Sequence, residues 1–225
     1  MFSVLFEVQP RADQWDAYLG NAKLLRPELE KVDGFIDNIR YRSLTRAGWM
    51  LSLSTWRDEK ALVRWRTHAL HHGVQKKGRA AILRDYHLRV GQITHDTQPP
   101  DGYALQEQRL DETETGTAKT VTLVDTGTSG EKVKGASPDG IAEWLGLDPH
   151  ARDLIAWDVF DAVLTPGAVI LLMSWRDQTA AAAFEATIRP PDGARLRHVR
   201  VVRDYGMYDR REAPQYHAAV DKPAG

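Results

Sequence analysis

Apolar and polar residues alternate at the start of the chain, and this pattern predicts a β-strand over Phe2 to Val8. From Trp15 to Val32 apolar residues recur every three or four positions, which is typical of a helix with one buried face. Pro27 should kink that helix, because proline lacks the N–H group that a helix interior needs. Two further strand patterns follow, then a second helix and a closing strand over Tyr86 to Ile93. The N-terminal half therefore reads as βαββαβ.

The same order recurs in the second half, so the sequence contains a weak internal repeat. Trp56-Arg57-Asp58 and Trp175-Arg176-Asp177 lie 119 residues apart, and each follows an apolar strand pattern and precedes a helical one. The match extends upstream at the same offset, where 36–48 aligns with 155–167. The second copy opens with a strand pattern at Lys119 to Asp125. Both copies therefore have the ferredoxin-like order of elements.

We predict an α+β fold of two ferredoxin-like domains. The first covers residues 1–98 and the second covers 118–208, because the polar, proline-containing stretch at 99–117 has the composition of a linker. Residues 209–225 are expected to form a C-terminal arm that lies on a neighbouring surface or is disordered. The second copy is polar and glycine-rich before its hairpin, and only a short helix over Pro138 to Leu145 is expected there.

The composition indicates a soluble globular protein with no dominant charge. Lys and Arg total 30 against 31 Asp and Glu, so the net charge of -1 provides no long-range attraction to nucleic acid or anionic lipid. The absence of cysteine excludes disulfides, thiolate-ligated haem, iron-sulfur clusters and a cysteine nucleophile. No apolar run approaches the roughly 20 residues that span a bilayer. We therefore expect a cytoplasmic protein that binds neither nucleic acid nor membrane.

The second helix of the first copy carries the most concentrated polar cluster. At about 100° per residue along a continuous helix, Trp65, His68 and His72 share the inward face, whereas His71 points away. Imidazole ionises near neutral pH, so two of them beside an indole can form the wall of a catalytic pocket. In the alternative interpretation, both histidines cap the edge of the core. Their spacing also suits a metal ion, but no His-Glu-x-x-His motif is present and no metal site is expected.

The matching helix of the second copy lacks this cluster. Phe184 stands where Trp65 stands in the first copy, and the helix has alanines in place of the histidines. Small alanine side chains suit close packing. The second copy is therefore expected to be a structural partner, in which His198 and Trp157 are the residues of most interest.

Several segments resemble the antibiotic biosynthesis monooxygenase family of the dimeric α+β barrel superfamily. The resemblance is best over Met1 to Ile93 and rests on VLFEVQP, LRPELEKVDGF, LSLSTWRDEKALVRWRTHALHHGVQKKGR and RDYHLRV. The closing RDYGMYDRREAP is similar to the tail of single-domain members. The resemblance implies two sheets packed face to face as an intrachain version of the dimeric barrel. Family members include cofactor-free oxygenases that convert phenolic polyketides to quinones, haem-degrading enzymes and proteins without established activity, so the fold leaves the chemistry open.

The first functional hypothesis is a cofactor-independent monooxygenase acting on a small aromatic or polyketide-like substrate. The substrate would supply the electrons as a phenolate or enolate, and the protein would bind, deprotonate and shield it in an apolar pocket. Asn38 or Arg40 would stabilise an oxyanion, and a histidine would act as base. The candidate catalytic residues are His68, His72, Trp65, Asn38 and Arg40. The candidate pocket residues are Tyr41, Tyr86 and Glu7.

Two alternatives remain open. In haem-degrading relatives, a histidine ten residues beyond the helix tryptophan ligates iron, but Gln75 occupies that position here, and a residue such as Glu7 replaces the first-strand asparagine. No cofactor is therefore expected, although His72 could bind haem iron from a shifted register. The second alternative is a non-catalytic member that binds a small ligand. The expected partners are a small hydrophobic or aromatic molecule and a second copy of the two-domain chain as a homodimer.

Overall fold

A computed structural model describes residues 1–127, 133 and 135–222. Its first half contains β1 (Phe2–Pro10), α1 (Trp15–Glu30), β2 (Phe35–Ser43), β3 (Met50–Trp56), α2 (Glu59–Thr67), α3 (Ala69–Lys77), a π-helical turn (Gly78–Ile82) and β4 (Leu83–Asp96). Its second half contains β5 (Thr120–Asp125), α4 (Pro138–Trp144), β6 (Leu154–Ala162), β7 (Val169–Trp175), α5 (Gln178–Glu185) and β8 (Arg195–Gly206). Both halves follow the order βαββαβ, with the second helix of the first half divided into α2 and α3.

The eight strands form one closed barrel in the order β1-β3-β2-β6-β7-β5-β8-β4. Every neighbouring pair is antiparallel. The two halves join twice, where β2 pairs with β6 and where β4 pairs with β8. The predicted α+β class and intrachain barrel are confirmed. The proposed linker, 99–117, falls between the end of β4 and the start of β5.

The repeated Trp-Arg-Asp segments form the same transition from a strand to a helix in both halves. Trp56 and Trp175 end β3 and β7 and are fully buried. The side chains of Asp58 and Asp177 then accept a hydrogen bond from the backbone N–H three residues later, at 2.8 Å in each case. These aspartates cap α2 and α5 because the first N–H groups of a helix have no partner within it. The repeat is thus preserved where a strand turns into a helix.

Both faces of the barrel sheet are buried, which determines where a cavity can form. The interior is filled by apolar residues from both halves, including Leu5, Leu53, Leu123 and Leu172. The outer face is covered by the helices, with separate clusters beneath α1–α3 and beneath α4 and α5. Adjacent strand residues point to opposite faces. Neighbouring residues of one strand therefore belong to different cores.

The C-terminal segment crosses from the second half onto the first. After β8, the backbone N–H of Met207 donates to the carbonyl of Tyr86 at 3.0 Å, and Gln215 Nε2 donates to the carbonyl of Arg66 at 3.0 Å. The ring of His217 stacks on His72 at 5.6 Å between centroids. The C-terminal segment therefore packs on the first half at least as far as Val220. Residues 223–225 fall outside the described part of the chain, in which no helix is long and apolar enough to cross a membrane.

Candidate active site

A cavity of about 220 Å³ lies between α1–α3 and the outer face of the first-half sheet. The C-terminal segment closes one side of it through Arg210, Gln215 and His217. Its walls are mostly apolar and aromatic. They include Val4, Phe6, Leu25, Leu29, Trp56, Leu62, Trp65, Leu88 and Val90. A cleft or cavity with mostly apolar walls and a few polar groups is the usual form of a small-molecule site.

The cavity brings together four of the candidate residues, which are Asn38, Arg40, Trp65 and Tyr86. Asn38 and Arg40 lie two positions apart in β2 and so share the outer face of the sheet. The Nδ2 group of Asn38 donates to the hydroxyl of Ser52 at 2.9 Å and to the carbonyl of Leu53 at 3.2 Å, and these bonds fix the amide. The guanidinium of Arg40 lies beside the Tyr18 hydroxyl, and its Nε atom is buried without a partner among the described residues.

Tyr41 and Glu7 lie on the opposite face of the sheet. Tyr41 packs in the barrel interior, because it neighbours Arg40 in sequence and therefore points the other way. Glu7 is also buried there, bound by Arg89 and Arg46 at 2.5 Å each. Burial raises the pKa of Glu7, but the two guanidiniums outweigh burial and hold it below the ordinary value. Neither residue lines the cavity, so their proposed place in a substrate pocket has no support in the geometry.

His71 lines the cavity together with His217 of the C-terminal segment, and the expectation that His71 points away is wrong. The helix is interrupted at His68, whose ψ of 128° is extended, and this break rotates α3 relative to α2. The ring of His71 consequently stacks on Trp65, with 4.4 Å between centroids and 13° between planes. A helical wheel that assumes one continuous helix cannot locate such a residue.

The protonation of His71 follows from its surroundings. Its Nδ1 atom lies 3.0 Å from the carbonyl oxygen of Trp65. Because a carbonyl only accepts hydrogen bonds, Nδ1 carries the hydrogen and Nε2 keeps a free lone pair. Burial lowers the pKa of His71 to about 4, although the bond to Trp65 opposes this effect. At neutral pH the cavity therefore contains an uncharged imidazole that can accept a proton or a hydrogen bond.

His68 and His72 flank the cavity without lining it. The His68 ring lies 5.6 Å from that of Trp65, and its buried Nδ1 atom has no partner in the ranges described. His72 stacks on His217 of the C-terminal segment. Both histidines thus lie where they can position Trp65 and the C-terminal segment, one residue layer away from the cavity.

Tyr86 links the cavity to the C-terminal segment. Its hydroxyl oxygen accepts hydrogen bonds from Arg79 at 2.7 Å and from Arg210 at 2.6 Å. Two donors occupy the lone pairs of that oxygen, so its own O–H group is left to donate to a ligand. Of these three residues the sequence singled out only Tyr86. The arginines lie far apart along the chain, and no local pattern distinguishes them from surface arginines.

The cavity does not suit haem, and the described residues contain no group of three or more side chains placed to hold a metal ion. A flat macrocycle with two propionates is larger than the drug-sized ligands that occupy pockets of ~300–1,000 Å³. The volume of about 220 Å³ lies below that range. The side chain at the family's haem-ligand position, Gln75, is an amide, which does not ligate haem iron in those relatives.

Comparison with known proteins places the site in a family. The family model described as antibiotic biosynthesis monooxygenase matches residues 1–77. A Pyricularia oryzae protein named jasmonate monooxygenase is 50% identical over 222 residues, covering 96% of this chain and 98% of that protein. The chain belongs to the antibiotic biosynthesis monooxygenase family. Monooxygenases of this family are typically cofactor-independent.

The family match spans the elements that build most of the cavity wall, from β1 to the end of α3. Solved structures show weaker similarity. A conserved protein from Methanosarcina mazei is 18% identical, with a TM-score of 0.37, and covers 40% of this chain and 88% of its own. An anthrone oxidase-like protein is 12% identical, with a TM-score of 0.33, and covers 95% of this chain and 96% of its own.

Proposed function

We propose that this family member is a cofactor-independent monooxygenase that acts on a small, mainly apolar ketone of the jasmonate class in the cavity beneath α1–α3. The observation that carries the proposal is a mainly apolar cavity containing a neutral imidazole, His71, opposite a sheet that presents Asn38 and Arg40. The named relative, 50% identical over nearly the whole chain, supplies the substrate class.

The size of the cavity favours this substrate over a polyketide with several fused rings. At about 220 Å³ it is smaller than the ~300–1,000 Å³ of most ligand sites. Jasmonate has a single five-membered ring bearing a ketone, an apolar chain and a short carboxylate arm. An aromatic or polyketide-like substrate is the competing hypothesis, and the experiment below separates the two.

The polar groups of the cavity suit oxygenation next to a carbonyl. His71 Nε2 accepts the proton, and Arg40 provides the hydrogen-bond donors for the enolate oxygen, because the Nδ2 group of Asn38 already donates to Ser52 and to the carbonyl of Leu53. His71 is a weak base, because its pKa is lowered to about 4. It can therefore remove a substrate proton only if nearby positive charge makes that proton more acidic, so the reaction requires Arg40. The apolar walls exclude water from the carbanion and from reactive oxygen intermediates.

The redox balance determines whether an external donor is needed. Oxidation of a CH2 group beside a carbonyl to a second carbonyl consumes one O2, places one oxygen atom in the product and releases the other as water. The CH2 group supplies all the electrons. Hydroxylation to an alcohol would instead require a further pair of electrons from a donor. We expect product to form without NADPH.

The test is incubation of the purified protein with jasmonate under 18O2, followed by mass spectrometry, with and without NADPH. We expect one labelled oxygen per product molecule, and little reaction with an anthrone of several rings. His71→Ala should lower kcat/KM by about 100-fold, the usual effect of losing an acid–base group. His150→Ala, an exposed histidine of the second half, is the matched control. Tight binding without turnover would instead identify a binding protein.

A further inference from the structure

The cavity is lined by five arginines that have no carboxylate within 4.0 Å in the part of the chain described. They are Arg40, Arg66, Arg79, Arg203 and Arg210. A buried or half-buried guanidinium without a counter-charge is unfavourable, because it has lost water and gained no ion pair. Such charges are stabilised when an anionic ligand enters.

The acidic lining residue does not neutralise them. Glu59 is the carboxylate among the described lining residues, and Arg109, which lies outside the cavity, binds both of its oxygens at 2.8 and 3.0 Å. A sixth lining arginine, Arg26, pairs with Glu30 at 2.8 Å. The cavity therefore has an excess of positive charge, although the net charge of the chain is -1.

Three of the five arginines already have other contacts. Arg79 and Arg210 donate to the hydroxyl of Tyr86, and Arg40 lies beside Tyr18. Arg66 and Arg203 remain, and neither side chain donates a hydrogen bond to any residue of the described ranges. The Nε atom of Arg66 is buried without a partner. Of the five arginines, these two are therefore the ones that an anionic ligand would stabilise most.

Arg66 and Arg203 come together with Tyr205. All three line the cavity, and the pKa of Arg66 is lowered by burial and by the charge of Arg203, which together outweigh the opposing effects of Tyr205 and Glu59. Arg203 and Tyr205 lie two positions apart in β8, opposite Val90 and Leu88 of the cavity wall. Burial raises the pKa of Tyr205 to about 12, so its hydroxyl stays protonated and can donate. Two guanidiniums and a phenol provide donors in the arrangement that a carboxylate accepts.

We propose that Arg66, Arg203 and Tyr205 bind the carboxylate of the substrate, which makes the enzyme selective for a free acid over its ester. This inference rests on the proposed function for the identity of the substrate. It also assigns a role to the second half, because β8 supplies two of the three residues. The second half is then a source of specificity for a site whose chemistry lies in the first half.

Binding measurements test this proposal independently of turnover. Calorimetric titration would compare jasmonate with its methyl ester on the wild-type chain, on Arg203→Gln and on Arg66→Gln. We expect the wild-type chain to bind the acid at least 10-fold more tightly than the ester. Each substitution should weaken acid binding at least 10-fold while leaving ester binding within about threefold, in line with loss of a charged hydrogen bond. Arg203→Lys should restore part of the acid affinity.

The matched control is Arg64→Gln. Arg64 lies in α2 with Arg66, but it is exposed and pairs with Asp33 outside the cavity. Equal wild-type affinity for acid and ester would overturn the proposal, as would a parallel loss of both ligands in the variants. Selective acid binding without any oxygenated product would instead refute the proposed function and leave the carboxylate site standing. Circular dichroism would confirm that each variant is folded.

Discussion

His71 is uncharged at neutral pH because burial beside Trp65 disfavours the imidazolium form. Its position depends on one backbone feature, the extended conformation of His68 between two short helices. Without that break, His71 would project away from the core. The position of the cavity imidazole of His71 therefore depends on the backbone conformation of one other residue, His68.

The lowered pKa of His71 makes stability depend on pH in a defined window. Between pH 6.5 and about 4 the unfolded chain binds a proton at this residue and the folded chain does not. The free energy of unfolding should therefore decrease as pH falls through this window, by roughly 1–2 kcal/mol after allowance for partial exposure. Urea unfolding between pH 4 and 7.5 would measure it. The His71→Gln variant should show a shallower slope, and identical slopes in the two proteins would contradict the assignment.

The period of a strand shows which of its residues share a face, but not which face lines a cavity. Asn38 and Arg40 share a face because they are two positions apart, and both line the cavity. Tyr41 and Glu7 were placed with them because the sequence cannot show which face of a doubly buried strand meets the helices. His71 was missed for another reason, since the break at His68 has no proline or glycine to mark it.

At the scale of elements, α2 and α5 occupy equivalent positions in the two halves, but only α2 contributes to the cavity wall. Asp58 and Asp177 cap them through the same contact at 2.8 Å. α2 carries Trp65 and Arg66 of the cavity wall, whereas α5 packs against the second-half sheet. Loss of either cap should therefore destabilise the protein equally, but only loss of the α2 cap should disturb the cavity.

The two caps provide a matched pair of substitutions. Asp58→Ala and Asp177→Ala should each lower the free energy of unfolding by about 1 kcal/mol, because each leaves an N–H group of the first turn unpaired. Only Asp58→Ala should also weaken ligand binding, since it loosens the helix that positions Trp65. Chemical denaturation and ligand titration would measure the two effects. Equal binding losses in both variants would contradict the separate roles of the helices.

The order of elements was predictable because the repeat preserves the Trp-Arg-Asp transition from strand to helix. The short helix predicted over Pro138 to Leu145 is present as Pro138–Trp144, and Ser137 caps it. The contribution of β8 to the cavity was not visible. It depends on pairing between β4 and β8, which are about a hundred residues apart; both strands contain Arg-Asp-Tyr, at 84–86 and 203–205, but this shared sequence does not show that they pair.

At the scale of the whole molecule, the two halves share one core. Leu53 of the first half and Leu172 of the second lie in the same interior cluster, and both barrel junctions are backbone-paired. Closure leaves no free sheet edge among the described strands. A homodimer of this chain would therefore have to use a surface other than a barrel edge.

A shared core predicts that the halves unfold together. Leu53→Ala and Leu172→Ala should each lower the free energy of unfolding by about 2–5 kcal/mol, the usual cost of a cavity at a buried leucine. Both should shift one single transition, followed in parallel by tryptophan fluorescence and far-ultraviolet circular dichroism. Leu110→Ala is the control, because Leu110 is 80% exposed and should change stability by less than about 0.5 kcal/mol. Two separated transitions, each sensitive to only one buried substitution, would show that the halves are independent domains, and the second half could then not hold Arg203 firmly against the cavity of the first.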